Sequence, residues 1–211
     1  MKKSYIFDFD YTLADSSRGV IECIKYALIK MNLRQNYNDE TIKKTIGLSL
    51  KDTLYKLTKI NNNKEIKLFE KLFIKKADEV MSDLTEIFKD VPEKLKEFKL
   101  KDIKIGIVST KFRYRIENIL NKKNLTDYVD IIIGGEDVIN TKPDPEGLLK
   151  AIDKLNIKKN NTYYIGDSII DAQTSKNAEI NFIASLTGVT AKKEFKNFKV
   201  YRFIESINDL K

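Results

Sequence analysis

Two rhythms of apolar residues run along the chain. Short runs that are continuous or alternate with period two, bounded by turn residues, predict strands at residues 5–9, 103–108, 129–133, 162–165 and 181–184, with a shorter one at 200–204. Helical spacing fills the stretches between them. Strands that alternate with helices pair in parallel and are covered on both faces, and ligands gather at the carboxyl ends of such strands. The fold class is therefore α/β, and chemistry is to be sought where the strands end.

About ninety residues separate the first strand from the second, far beyond an ordinary crossover. An inserted domain accounts for them. Val20, Ile21, Ile24, Ala27, Leu28 and Met31 form one helical stripe, and Ile66, Phe69, Phe73, Ala77 and Val80 another. Ser49, with Asp52 three residues on, reads as a capped start for the helix of Leu50, Leu54 and Leu57, and Asn61, Asn62 and Asn63 form the turn after it. The expected division is a core of residues 1–15 and 87–211 and an insert of residues 16–86, with linkers near residues 14–17 and 89–92.

Composition acts mainly by exclusion. The 211 residues include no histidine, so a Ser-His-Asp triad, a Cys-His pair and an HExxH zinc site are ruled out. Chemistry is left to carboxylates, lysines, hydroxyls or a bound metal. The single cysteine, Cys23, lies beside the first helical stripe and reads as a core residue. Lys and Arg number 39 against 31 acids, a net charge of +8. Such an excess could attract polyanions or favour small phosphorylated substrates; it is spread along helical positions rather than clustered, so nucleic acid is not expected. No run of about 18 apolar residues is present, and Asp8 interrupts the first apolar run too early for a signal peptide; a cytoplasmic protein without a membrane span is expected.

Polar residues cluster where the strands end. The first strand runs into Asp8-Phe9-Asp10-Tyr11-Thr12, the second into Ser109-Thr110-Lys111, and the fourth into Gly166-Asp167-Ser168-Ile169-Ile170-Asp171. Lys142-Pro143-Asp144-Pro145 follows the third, its prolines stiffening the segment before the helix of Leu148, Leu149 and Ile152. Each piece has an ordinary explanation: a polar strand exit, a helix cap, a solvated lysine, or an N-cap followed by a surface acid.

In this order the four pieces resemble the motifs of the haloacid dehalogenase-like hydrolases: D-x-D-x-T, a Ser or Thr after the next strand, a Lys, and G-D-x-x-x-D. The resemblance spans Asp8 to Asp171. It implies a Rossmann-like parallel-sheet core carrying an α-helical cap. Within the superfamily, K-P-D-P and the stretch from Gly166 to Ala178 resemble the phosphoglycolate phosphatase group. The resemblance implies a phosphatase that uses Mg²⁺ and an aspartyl-phosphate, with Asp8 as nucleophile and Asp10 as acid and base. Ser109 and Lys142 would bind and neutralise the phosphoryl group. Asp8, the Asp10 carbonyl and Asp167 would ligate the metal, and Asp171 would orient metal-bound water or Lys142.

A second aspartate at Asp10 favours phosphatase over dehalogenase, because an alkoxide leaving group needs a proton. Two positions depart from the pattern: Tyr11 stands where glycine or another small residue is usual, and Thr110 where asparagine is common. The run Ser109-Thr110-Lys111-Phe112-Arg113 is closer to the related pyrophosphatases, which leaves pyrophosphate open beside a phosphate monoester as substrate; a noncatalytic phosphate-binding module is the alternative of another class. Thr110, Lys111, Gly47, Lys51 and Arg113 are the further candidates for phosphate or substrate contact, Gly47 and Lys51 lying in a stretch that resembles the cap loop of these phosphatases. Monomer and homodimer both remain open.

Overall fold

A computed structural model describes residues 3–33 and 37–211. In chain order its elements are β1 (Ser4–Phe7), β2 (Ala14–Asp15), α1 (Ser17–Lys30), α2 (Asp39–Lys43), α3 (Leu50–Thr58), α4 (Asn63–Val80), β3 (Glu86–Ile87), α5 (Val91–Leu100) and β4 (Lys104–Val108). There follow α6 (Arg113–Lys122), β5 (Ile131–Ile133), α7 (Glu146–Leu155), β6 (Thr162–Gly166), α8 (Ile169–Ala178), β7 (Asn181–Ser185) and β8 (Arg202–Ile204), with short 3₁₀ turns between some of them. The chain divides into two compact units, Met1–Ala14 with Ile87–Lys211, and Asp15–Glu86.

The larger unit is a six-stranded sheet in the order β5-β4-β1-β6-β7-β8, with every pair parallel. Period-two alternation shows in β1, whose four residues are all buried: Tyr5 and Phe7 join one apolar cluster with Ile105, Ile107 and Ile165, while Ile6 joins another with Val108, Tyr164 and Ala184. Burial on both faces is what a parallel sheet requires, and it explains the nearly unbroken apolar reading of these strands. β1 lies between β4 and β6: the chain winds out through β4 to β5 on one side and then crosses to β6 on the other, a reversal of direction that opens a crevice at the carboxyl ends of these three strands.

The first strand is shorter than its apolar run predicts: it ends at Phe7, and the loop from Asp8 to Leu13 turns back, with Leu13 N–H and Ala14 N–H both donating to the Phe9 carbonyl. β2 and β3, which hold the chain crossings between the units, pair as a separate two-stranded sheet. The second crossing precedes residues 89–92, which instead carry the chain into the first turn of α5, with Pro92 in that turn where its missing N–H costs nothing.

The smaller unit is helical apart from its two ends. Its core gathers Val20, Cys23, Ile24, Ala27 and Leu28 of α1 with Ile66, Phe69, Phe73 and Ala77 of α4, and Leu54 and Leu57 of α3. Ser49 caps α3 by accepting from Asp52 N–H at 3.1 Å, and Asn62 caps α4 by accepting from Glu65 N–H at 3.0 Å. Asn38 does the same for α2, a helix too short to show as a periodic pattern. Among the described residues, no helix is long and apolar enough to cross a membrane.

Candidate active site

The larger unit brings its polar strand ends together. Asp8 leaves β1 with its N–H bonded to the Ile165 carbonyl at 2.8 Å, which holds it beside the end of β6. Lys142 reaches it from the segment before α7: its Nζ lies 3.0 Å from Asp8 Oδ1 and 2.7 Å from Asp171 Oδ1. All three side chains are buried.

Asp171 is fully engaged. Besides Lys142, its Oδ1 lies 2.9 Å from the Tyr164 hydroxyl, and its Oδ2 accepts from Ser168 N–H at 3.1 Å and from the Ser168 hydroxyl. Ser168 in turn caps α8 by accepting from Asp171 N–H. Sequence offered two explanations for this segment, a helix cap or an active-site acid. The structure shows the reciprocal cap and the contact to Lys142 in one residue pair.

Asp8, Asp167 and Asp171 each present a carboxylate oxygen, and these oxygens lie within 4.8 Å of one another. Burial raises Asp8 to a pKa of about 7; Lys142 pulls it down, and Asp171 and Asp10 push it up. Asp167 is held well above the ordinary carboxylate range by burial and then by Asp171 and Asp8. Burial disfavours the Lys142 ammonium, but Asp171 and Asp8 outweigh it and hold its pKa above the usual lysine value. Without a further cation, the cluster carries more negative charge than its buried setting accommodates.

These residues fit a hard divalent ion. The buried Asp8 Oδ1, although beside the ammonium, accepts no aligned hydrogen bond. Asp167 offers a second carboxylate, and oxygen donors suit Mg²⁺. Both oxygens of Asp171 already accept hydrogen bonds, from Lys142, Tyr164 and Ser168. Close packing confines Asp167: a Cβ on Gly188 would lie 1.8 Å from its Oδ2.

Asp10 is buried at the same strand end, its Oδ1 lying 3.2 Å from Lys111 Nζ. Ser109 is buried there too; its N–H donates to the Ile133 carbonyl, and its hydroxyl accepts from Lys111 N–H at 3.3 Å. Thr110 follows Ser109, half-buried. Asp8, Asp10, Ser109, Lys111, Lys142, Asp167 and Asp171 therefore share one region at the carboxyl ends of β1, β4 and β6.

Arg113 is directed elsewhere. Its Nε donates to both Asp137 oxygens at 3.0 and 3.2 Å, and Nη1 lies 3.4 Å from Glu117. Asp137, in the turn after β5, thus pairs with the guanidinium, and Glu136 accepts from the Arg113 backbone N–H. Gly47 and Lys51 belong to the helical unit: Gly47 has φ +92°, a conformation open to glycine, and Lys51 is exposed in the first turn of α3.

Several residues escaped the sequence. Tyr164 read only as a core strand residue, yet its hydroxyl accepts from Lys142 at 3.2 Å and lies 3.2 Å from the Val108 carbonyl. Burial, then Asp171 and Asp8, raise its pKa, so it stays a neutral donor. Gly134 and Gly135 allow the backbone after β5 to approach the segment that carries Lys111. A Cβ on Gly134 would lie 2.2 Å from Arg113 N, and one on Gly135 would lie 2.5 Å from the Thr110 carbonyl oxygen. The Gly-Gly pair after a strand was the signal available. Tyr11 adopts φ +58°, left-handed where the resemblance would place a small residue, and its carbonyl accepts a hydrogen bond from Thr187.

Residues 5–185 match the family model described as haloacid dehalogenase-like hydrolase. The chain belongs to that family. Among similar proteins, the pyrophosphatase PpaX of Oceanobacillus iheyensis is 27% identical over 99% of this chain and 94% of its own length, and that of Bacillus mycoides 29% identical over 97% and 93%. A structure from Bacteroides fragilis assigned to the haloacid dehalogenase-like hydrolases superposes with a TM-score of 0.96 at 41% identity, covering both chains in full. One from Lactobacillus plantarum, assigned as a phosphoglycolate phosphatase, has a TM-score of 0.87 at 21% identity over 100% of this chain and 98% of its own, a likeness of fold.

Proposed function

We propose that this phosphatase of the haloacid dehalogenase-like family uses Mg²⁺ and a covalent aspartyl-phosphate on Asp8 to hydrolyse a small phosphorylated compound. The observation that carries this reading is the buried group of Asp8, Asp167, Asp171 and Lys142 at the strand ends. Asp8 and Asp167 are the side chains that would hold the metal, with the Asp10 carbonyl as the third ligand on the strength of the motif. When bound, Mg²⁺ neutralises charge on the carboxylates and the phosphoryl group.

The chain's own residues supply the rest. An Asp8 carboxylate oxygen forms a bond to phosphorus as the bond to the leaving oxygen breaks, and Asp10 gives that oxygen its proton. In the second step Asp10 takes a proton from water, the water oxygen bonds to phosphorus, and the bond to Asp8 breaks, which releases phosphate and restores both carboxyl groups. Lys142 neutralises Asp8 and the phosphoryl oxygens, and Ser109 and Thr110 bind them. Asp171 and Tyr164 position Lys142. The helical unit is proposed as the cap, with Gly47 and Lys51 as substrate contacts on the sequence pattern alone. The sequence also suggests a cytoplasmic enzyme.

A second reading, inorganic pyrophosphatase, is favoured by the names of the PpaX relatives and by the buried Lys111 beside Asp10. Phosphate release from a monoester panel and from pyrophosphate, with and without Mg²⁺, tests both. The expected result is Mg²⁺-dependent release that Asp8→Asn abolishes. Release by Asp8→Asn at the parent rate would remove Asp8 as nucleophile.

A further inference from the structure

The geometry points to Lys111 as a specificity-determining residue that selects substrates whose leaving group is itself an anion, with the negative charge one or two bonds from the scissile oxygen. This rests on the proposed roles of Asp8 and Asp10. A terminal phosphate, as in pyrophosphate, and a short carboxylate, as in 2-phosphoglycolate, share the required chemistry.

The argument begins with position. A group that protonates a leaving oxygen must approach it to about 2.6–3.2 Å. Lys111 Nζ lies 3.2 Å from Asp10 Oδ1. The ammonium therefore sits within roughly 6 Å of any oxygen that Asp10 protonates, where the substituent on that oxygen must lie. The ion pair with one carboxylate oxygen occupies one of the ammonium's three protons, so a second anion can be bound without giving up the first.

The backbone under Lys111 is tightly held. Its N–H donates to Ser109 Oγ at 3.3 Å, and its carbonyl accepts from Gly135 N–H at 3.1 Å. The close approach of Gly134 and Gly135 leaves no room for side chains there. Lys111 is thus a buried, anchored cation beside Asp10, whereas Lys142 lies against Asp8. Two buried lysines serve two ends of the substrate: one faces the phosphoryl group that is transferred, the other the charge that departs. A neutral alcohol has nothing to offer the second.

The test compares kcat/KM of the full chain with Mg²⁺ for pyrophosphate, 2-phosphoglycolate and ethyl phosphate, in the parent, Lys111→Met and Lys111→Arg. The parent should prefer the two substrates with anionic leaving groups. Lys111→Met, which also takes the ammonium from Asp10, should lose activity on ethyl phosphate, and on one or both anionic-leaving-group substrates it should lose at least about 30-fold more, as truncation of one partner of a buried charge contact does; Lys111→Arg should keep the parent's ranking. A loss confined to pyrophosphate assigns Lys111 to a phosphate, and one confined to 2-phosphoglycolate assigns it to a carboxylate. Equal losses on all three substrates, or none, would overturn the inference while leaving the aspartyl-phosphate mechanism intact. If Lys111→Met fails to fold, Lys111→Gln takes its place under the same criterion. A parent inactive on all three would reject this inference, and an Asp8→Asn variant as active as the parent would reject the mechanism and this inference together.

Discussion

Replacing Tyr164 with phenylalanine removes one oxygen from the centre of the buried charge group and leaves everything else in place. The ring is fully buried against Phe182, with centroids 6.4 Å apart, so the substitution opens no cavity. What goes is a hydroxyl 3.2 Å from Lys142 Nζ, 2.9 Å from Asp171 Oδ1 and 3.2 Å from the Val108 carbonyl. Hydrogen bonds to charged groups contribute roughly 1.5–3 kcal/mol. Asp171 retains Lys142 at 2.7 Å, which places the expected loss near the middle of that range, about 2 kcal/mol. With an unfolding entropy of roughly 2.1 cal/mol/K per residue, 211 residues convert this into a Tm lower by roughly 4–5 °C. Lys142 also loses one of the groups that hold it against Asp8, so kcat should fall about tenfold, equivalent to about 1.4 kcal/mol in the barrier. Calorimetry in EDTA measures the first effect and steady-state kinetics at saturating Mg²⁺ the second. A Tm within 1 °C of the parent, together with an unchanged kcat, would show that the hydroxyl does not join these charges.

Gly188→Ala should cost at least about tenfold in activity and weaken divalent-ion binding with the far-UV CD unchanged, because the new Cβ would lie 1.8 Å from Asp167 Oδ2 and must displace it; full activity and full metal affinity would contradict that packing. The raised Asp8 gives a pH signature of defined sign. Between about pH 4 and about pH 7 the native carboxyl, at about 7, holds a proton that the unfolded chain, at 3.8, has released, so metal-free stability falls as pH rises through that window. Thermal melts in EDTA should show a steeper decline in the parent than in Asp8→Asn, where Asp167 still contributes, and identical slopes would contradict it. Mg²⁺ should flatten the decline and expel protons on binding below pH 7, which calorimetry in buffers of different ionisation enthalpy measures.

Sequence by itself determined what depends on near neighbours in the chain. Apolar alternation marked the strands because successive side chains of a strand face opposite sides, and the stripes of α1 and α4 showed because a helix brings residues three and four apart onto one face. Ser49 with Asp52 signalled a helix start for the same local reason. The order of the acidic, hydroxyl and lysine segments located the chemistry, since a parallel sheet gathers its strand ends at one edge. Which partner each group takes was decided only in three dimensions. Lys142 and Asp171 are 29 positions apart, and Tyr164 and Val108 are 56; their meeting depends on strand order and on the depth to which each chain segment is buried. Arg113 likewise pairs with Asp137, 24 positions on and in another loop. The glycines at 134, 135 and 188 matter through the atoms that approach them, and local spacing carries no record of those distances.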